Sequence, residues 1–159
     1  MPKIISIITK LNRLLETIAN HLQDPFLLGV RLYWGWQFFQ TGKGKLGNLE
    51  QTAEFFVSLG LPAPKLQAML AGGTECVGGL LLLIGLGSRF TAVPLMFTML
   101  VAYLTAHLDS VKTIWSDSDT FVTQAPFLFL LASLIIFVFG PGRVSVDHFL
   151  RRKFGTALR

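Results

Sequence analysis

The chain has 159 residues, room for one domain, and is 52% hydrophobic and only 14% charged, with a mean hydropathy of +0.56. That balance excludes a soluble domain of average composition and a disordered chain, and points to a membrane. The formal net charge of +5 is carried at segment ends and in the tails rather than along one face, which excludes nucleic acid as a partner and favours anionic lipid.

Residues 1–23 read as an amphipathic helix lying in the interface plane. Ile4, Ile5, Ile8, Leu11, Leu15, Ile18 and Leu22 recur at helical spacing, while Lys3, Lys10, Arg13 and Glu16 fall among the polar positions. The apolar stretch between Lys3 and Lys10 is too short for the core of a secretory signal. Four spans follow, set by gaps in charge, near residues 25–41, 67–87, 89–108 and 121–140. The first is the least apolar, since it holds Arg31, Gln37 and Gln40. Between the first two, Asn48 and Gln51 have the spacing of a reciprocal helix cap, and Glu50 to Leu59 reads as a short helix closed by Gly60. Beyond Gly140-Pro141-Gly142 the tail sets Val146, Phe149 and Leu150 beside Arg151, Arg152 and Lys153, a basic amphipathic end suited to anionic headgroups.

The expected fold is all-α. A transmembrane four-helix bundle over residues 24–142 follows the interfacial helix, carries a short helix in its first outer loop, and leads into a basic tail over 143–159. Lys3, Lys10, Arg13, Arg89 and the run from Arg143 to Lys153 place both termini in the cytoplasm.

Glu75 is the only charged residue between Lys65 and Arg89, in the middle of a run long enough to cross roughly 30 Å of hydrocarbon. A carboxylate at that depth costs at least about 2.5 kcal/mol to insert, so it calls for a partner or a cavity. Helical rise puts Arg31 and Glu75 one or two turns apart in level, and the expected partner is therefore Arg31. Such a pair either fixes helix packing or handles protons or a polar headgroup. Gly72 and Gly79 on one stripe, with Gly78 and Gly85 on the next, thin the helix for close packing. Cys76, the single cysteine, excludes a disulfide framework and reads as a small buried residue.

Two further groups carry residue types suited to ligand chemistry. Gly42-Lys43-Gly44-Lys45-Leu46-Gly47 matches the dinucleotide fingerprint in letters but follows an apparent membrane helix rather than a strand, so it reads as a flexible turn. Lys43 and Lys45 could there meet an anionic group at the mouth of the bundle. Tyr33, Gln37 and Gln40 share a helical face, and with Tyr103, His107 and Gln124 they make a polar cluster in the outer half, a candidate ligand pocket. The alternative is hydrogen bonding between helices plus an aromatic belt of Trp34, Trp36 and Trp115. His21, His107 and His148 lack metal-ligand spacing.

The series Arg31, Gly42-Lys43-Gly44-Lys45-Leu46, Phe55-Phe56-Val57-Ser58-Leu59-Gly60-Leu61-Pro62, Glu75-Cys76-Val77-Gly78-Gly79 and Gly140-Pro141-Gly142-Arg143 resembles DoxX-type proteins over roughly residues 25–152. The resemblance implies a small bacterial inner-membrane protein of four helices, similar to the quinone-reducing subunit of thiosulfate:quinone oxidoreductase. The stretch from Arg31 to Gly42 is most similar to the branch found beside enzymes that modify metal-binding peptides. Many members carry His where Gln40 stands, which counts against a histidine-dependent role there. The implied function is a redox component, an oxidoreductase subunit, that binds a quinone within the bundle through Arg31 and Glu75, joined by Tyr103 or His107. The alternative is a non-catalytic anchor or assembly partner for another subunit, or for a second copy of the chain. Solute transport is disfavoured by the lack of an inverted repeat.

Overall fold

The computed structural model describes residues 2–155, with side chains from residue 5, so the side chains of Lys3 and Ile4 and the last four residues of the expected tail lie outside it. Among the described residues there are eight helices and no strand: α1 (Pro2–Gly47), α2 (Leu49–Ser58), α3 (Pro64–Ile84), α4 (Ser88–Ala106), α5 (Leu108–Lys112), α6 (Ser118–Val122), α7 (Ala125–Phe139) and α8 (Val146–Phe154). The four longest pack as neighbours in a closed order, α1 on α3, α3 on α4, α4 on α7 and α7 on α1, and α2 lies against α3. Phe38, Leu82, Leu95, Met99 and Ile136 meet in the core, with the rings of Phe38 and Phe129 edge to face at 4.7 Å.

The separate interfacial helix expected over 1–23 does not exist as an element. α1 runs unbroken for 46 residues, about 69 Å at 1.5 Å per residue. Pro25 lacks only the amide that would bond the His21 carbonyl. Asp24 beside it is held from outside the helix, accepting from the Arg143 backbone amide at 2.8 Å and facing Arg143 Nε at 3.4 Å. The expected amphipathic stripe is nonetheless present: Ile5, Ile8, Leu11, Leu15, Ile18 and Leu22 are all exposed. The flexible turn expected at 42–47 is also helical, as the last turns of α1.

The first connection holds its expected short helix, but not its cap. Asn48 makes no side-chain bond to α2 and instead donates back to the Gly44 carbonyl at 3.2 Å. Gly60 ends the segment at φ 71°. Between α3 and α4 the chain reverses through Gly85 and Gly87, both left-handed, which a residue with a Cβ rarely adopts. The span expected over 121–140 is shorter than its apolar run. Gln124 is extended and Pro126 opens α7, so Ser118–Val122 is split off as α6 and α7 has 15 residues, about 22 Å.

Among the described residues two helices, α3 and α4, are long and apolar enough to cross a membrane. Their outward positions include Val77, Leu80, Ile84, Phe90, Val93, Phe97, Leu100 and Leu104, all exposed. An apolar surface of this extent needs hydrocarbon or a partner against it.

Two glycines in the same helix predict opposite responses to alanine. A Cβ on Gly42 would lie 2.6 Å from the Gly72 carbonyl oxygen and 2.8 Å from Cys76 Cα, whereas one on Gly44 meets nothing within 4 Å. Gly42→Ala should destabilise the detergent-purified protein by about 1–3 kcal/mol. Gly44→Ala should leave it unchanged or raise its stability by up to about 1 kcal/mol through helix propensity. Thermal unfolding of both variants checks the contrast.

Candidate functional site

The site is built on the crossing of α1 and α3. Gly35 and Gly42 lie two turns apart on α1, as Gly72 and Gly79 do on α3. A Cβ on Gly35 would stand 3.0 Å from the Gly79 oxygen, one on Gly79 2.6 Å from the Gly35 oxygen, and one on Gly72 3.0 Å from Leu46 Cγ. The two backbones thus touch at both levels, which only glycine permits. The expected second stripe also packs, since a Cβ on Gly78 would meet the Leu95 side chain of α4 at 3.0 Å.

These contacts fix an antiparallel register: residue 35 faces 79–83 and residue 42 faces 72–76. In that register the next turn of α1 brings Lys45 to Glu75. The Lys45 ammonium donates to both carboxylate oxygens, at 2.5 Å to Oε1 and 2.6 Å to Oε2. Glu75 is 0% exposed, while the Lys45 side chain keeps 32% of its surface accessible. The pair is therefore lopsided, with a dry carboxylate and an ammonium at the edge of the seam. Pairing offsets the cost of burying the charge, and a change that removes one partner leaves the other stranded. Beyond Lys45, the Thr52 hydroxyl of α2 donates to the Lys45 carbonyl at 3.3 Å, so α2 closes this end of the seam.

The expected Arg31–Glu75 pair is not formed. Arg31 is buried, but Nη1 donates to the Pro141 carbonyl at 2.7 Å and Nη2 to the Leu83 carbonyl at 3.4 Å. Its guanidinium fills the space where a Cβ on Gly85 would sit. From Glu75 to Gly85 is about 15 Å along α3, some three turns, because the glycine contacts set Arg31 against the end of α3 rather than its middle.

The other predicted ligand-binding residues are scattered along this frame. Gln37 is half-buried, and Tyr33, Gln40 and Lys43 are exposed. Tyr103 is buried; its hydroxyl donates to the Phe121 carbonyl at 2.9 Å and its ring stacks on Phe121 at 4.7 Å. His107 is half-buried at the end of α4, its ring 6.2 Å from that of Tyr103. Gln124 donates to the Thr120 carbonyl at 3.1 Å, so this end of α4 is satisfied locally, by α6 and its flanks.

Asp147 was missed in sequence. Its two carboxylate oxygens accept from the Gly87 and Ser88 amides at 2.7 and 2.9 Å, and its own amide donates to the Gly85 carbonyl at 2.9 Å. It caps α4 from sixty residues away and pins α8 to the α3–α4 turn. Nothing in a basic tail signals a remote cap. Arg31 and Asp24 clasp the turn at Gly140–Ser145 while Asp147 ties α8 to the α3–α4 turn, and this end of the molecule is separate from the Lys45–Glu75 seam.

Lys45→Met should cost about 3 kcal/mol in unfolding free energy, the lower end for a buried pair because Lys45 is partly exposed. Adding Glu75→Leu should recover a large part of that loss. A double-mutant cycle in detergent measures the coupling, and additive losses would show that the two side chains do not act as a pair.

The DoxX family matches residues 26–108, which holds the α1–α3 seam and both members of its ion pair. A Mycobacterium tuberculosis protein named "Uncharacterized membrane protein Rv3486" is 32% identical over 139 residues, covering 81% of this chain and 83% of that one. The Bacillus subtilis protein named "Putative oxidoreductase CatD" is 30% identical over 123 residues, 76% of this chain and 84% of its own. A Haemophilus influenzae protein without an assigned role is 26% identical over 134 residues, 82% of this chain and 86% of its own. No solved structure matches the chain. Matched over more than half its length, and at 30% identity or more to two of these relatives, the chain is a membrane protein of the DoxX family.

Proposed function

We propose that this protein is a redox-associated component of a bacterial inner membrane that holds the headgroup of a quinone, or a similar small molecule, at the Lys45–Glu75 seam. The observation that carries the reading is the lopsided pair: a fully buried carboxylate bonded through both oxygens to an ammonium at the edge of an apolar face. A quinone headgroup presents two carbonyl acceptors on an apolar ring. Lys45 can turn its third N–H toward such a carbonyl while keeping Glu75 satisfied, and can pass that proton to the reduced headgroup, with Glu75 holding the ammonium in place until it is reprotonated from the seam's open edge. The electrons for reduction come from a partner subunit; this chain positions the headgroup and serves the proton. The name of the Bacillus subtilis relative is in keeping with such a role.

In this reading α1 from about residue 25, α3, α4 and α7 all cross the bilayer as a four-helix bundle. α1 owes its place to packing on α3 more than to its own hydropathy, whereas α7 is strongly apolar but only 15 residues long and packs on α4. Both termini and the α3–α4 turn with Arg89 face the cytoplasm, following the basic residues. Tyr103 is then committed to Phe121 of α6, and Arg31 stabilises the fold.

One observation favours a second reading, that of a non-catalytic anchor. α1 extends well beyond the packed helices, and its exposed stripe from Ile5 to Leu22 offers a partner subunit a helical face.

Mass spectrometry of small molecules extracted from detergent-purified protein separates the two. The redox reading expects bound quinone in the wild type and its loss in Glu75→Gln, with the variant still folded. Protein that neither carries nor takes up a quinone, yet co-purifies with a stoichiometric partner, overturns it in favour of the anchor.

A further inference from the structure

At the opposite end of the molecule from the Lys45–Glu75 seam lies a cavity of about 430 Å³ between α1, the α7–α8 turn and α8. Asn20, Gln23 and Asp24 form one wall, Gly140–Arg143 the floor, and Arg89, Phe139, His148 and Arg151 the rest. Of its arginines, Arg143 is paired with Asp24. Arg89 is bonded only to a neutral acceptor, the Val138 carbonyl at 3.1 Å, and among the described residues neither Arg89 nor Arg151 has an acidic partner. Three arginines against one aspartate leave the cavity with two uncompensated positive charges.

A second cavity of about 370 Å³ adjoins it, lined by Ala19, Leu22, Phe26 and Leu27 and sharing Asn20, Gln23 and Phe139 with the first. Its lining is largely apolar. A doubly cationic cavity that opens into an apolar groove is complementary to an amphiphile with an anionic head. The level agrees, because α4 starts and α7 ends here, where apolar helices meet headgroups.

We propose that these joined cavities bind one anionic phospholipid. The phosphodiester lies between Arg89 and Arg151, each guanidinium able to take two of its oxygens, and an acyl chain runs along Leu22, Phe26 and Phe139. The site is distinct from diffuse attraction of the basic tail to a membrane. Arg152 and Lys153 carry the same charge as Arg89 and Arg151 but line neither cavity. The free phosphate ester shares the head chemistry but makes no use of the groove.

Native mass spectrometry of the full chain in detergent, titrated with phosphatidylglycerol, tests the site. The wild type should retain one phosphatidylglycerol. Arg89→Gln with Arg151→Gln should weaken retention at least tenfold, and Arg152→Gln with Lys153→Gln should change it less than twofold. Since Arg89 also holds the Val138 carbonyl, Arg151→Gln alone is the control for folding, and it should still weaken retention several-fold. Equal losses in the two double variants would reduce the binding to diffuse charge and overturn the site. Equal retention of phosphatidylcholine would overturn its anionic selectivity. Thermal stabilisation by glycerol phosphate as large as that by phosphatidylglycerol would make the occupant a soluble ester and overturn the lipid.

Discussion

Four glycines in contact across α1 and α3 constrain everything else in this protein. Because Gly35, Gly42, Gly72 and Gly79 carry no Cβ, the two backbones approach until carbonyls and amides of opposite helices are within van der Waals reach. Dispersion between surfaces that close is short-ranged and steep, so a shift of one residue would drive Leu or Phe side chains into the space the glycines leave. The register is therefore discrete rather than graded. Once it is set, Lys45 must meet Glu75 and Arg31 must meet the end of α3.

Two charged groups are consequently buried for different reasons. Glu75 is held by one formal opposite charge within the seam, an arrangement that keeps a dry carboxylate beside an ammonium reachable from the edge. Arg31 is held by backbone carbonyls of two distant segments, so Nη1 and Nη2 bracket the turn at Pro141 to the end of α3. The first arrangement can serve chemistry because the ammonium has a donor to spare. The second joins α1, α3 and the α7–α8 turn, and Asp147 and Asp24 complete the same bracket from either side.

Much of this was legible in the residues. The charge gaps located α3 and α4, the glycine stripes gave the faces that pack, and the isolation of Glu75 marked the seam. The partner was misassigned because helical rise locates a residue along its own helix but says nothing of how two helices slide past each other. That offset is encoded in Gly35 and Gly42, which look unremarkable beside Trp34, Trp36 and the lysines. The break expected near residue 24 failed for a related reason. Asp24 and Pro25 read locally as a helix boundary, yet Arg143, more than a hundred residues on, holds Asp24 in place. The cap supplied by Asp147 and the split before Pro126 likewise depend on long-range contacts or on a single backbone geometry that hydropathy averages away.

Cysteine cross-linking reads the α1–α3 register directly. A Cβ on residue 72 would lie 3.0 Å from Leu46 Cγ, a geometry that puts Leu46→Cys and Gly72→Cys within the Cβ separation a disulfide needs, about 3.5–4.5 Å. In a Cys76→Ser background, mild oxidation in membranes should join that pair within one chain and leave the pair Arg31→Cys and Glu75→Cys unjoined. A cross-link between positions 31 and 75, with none between 46 and 72, would contradict the register and with it the Lys45–Glu75 site.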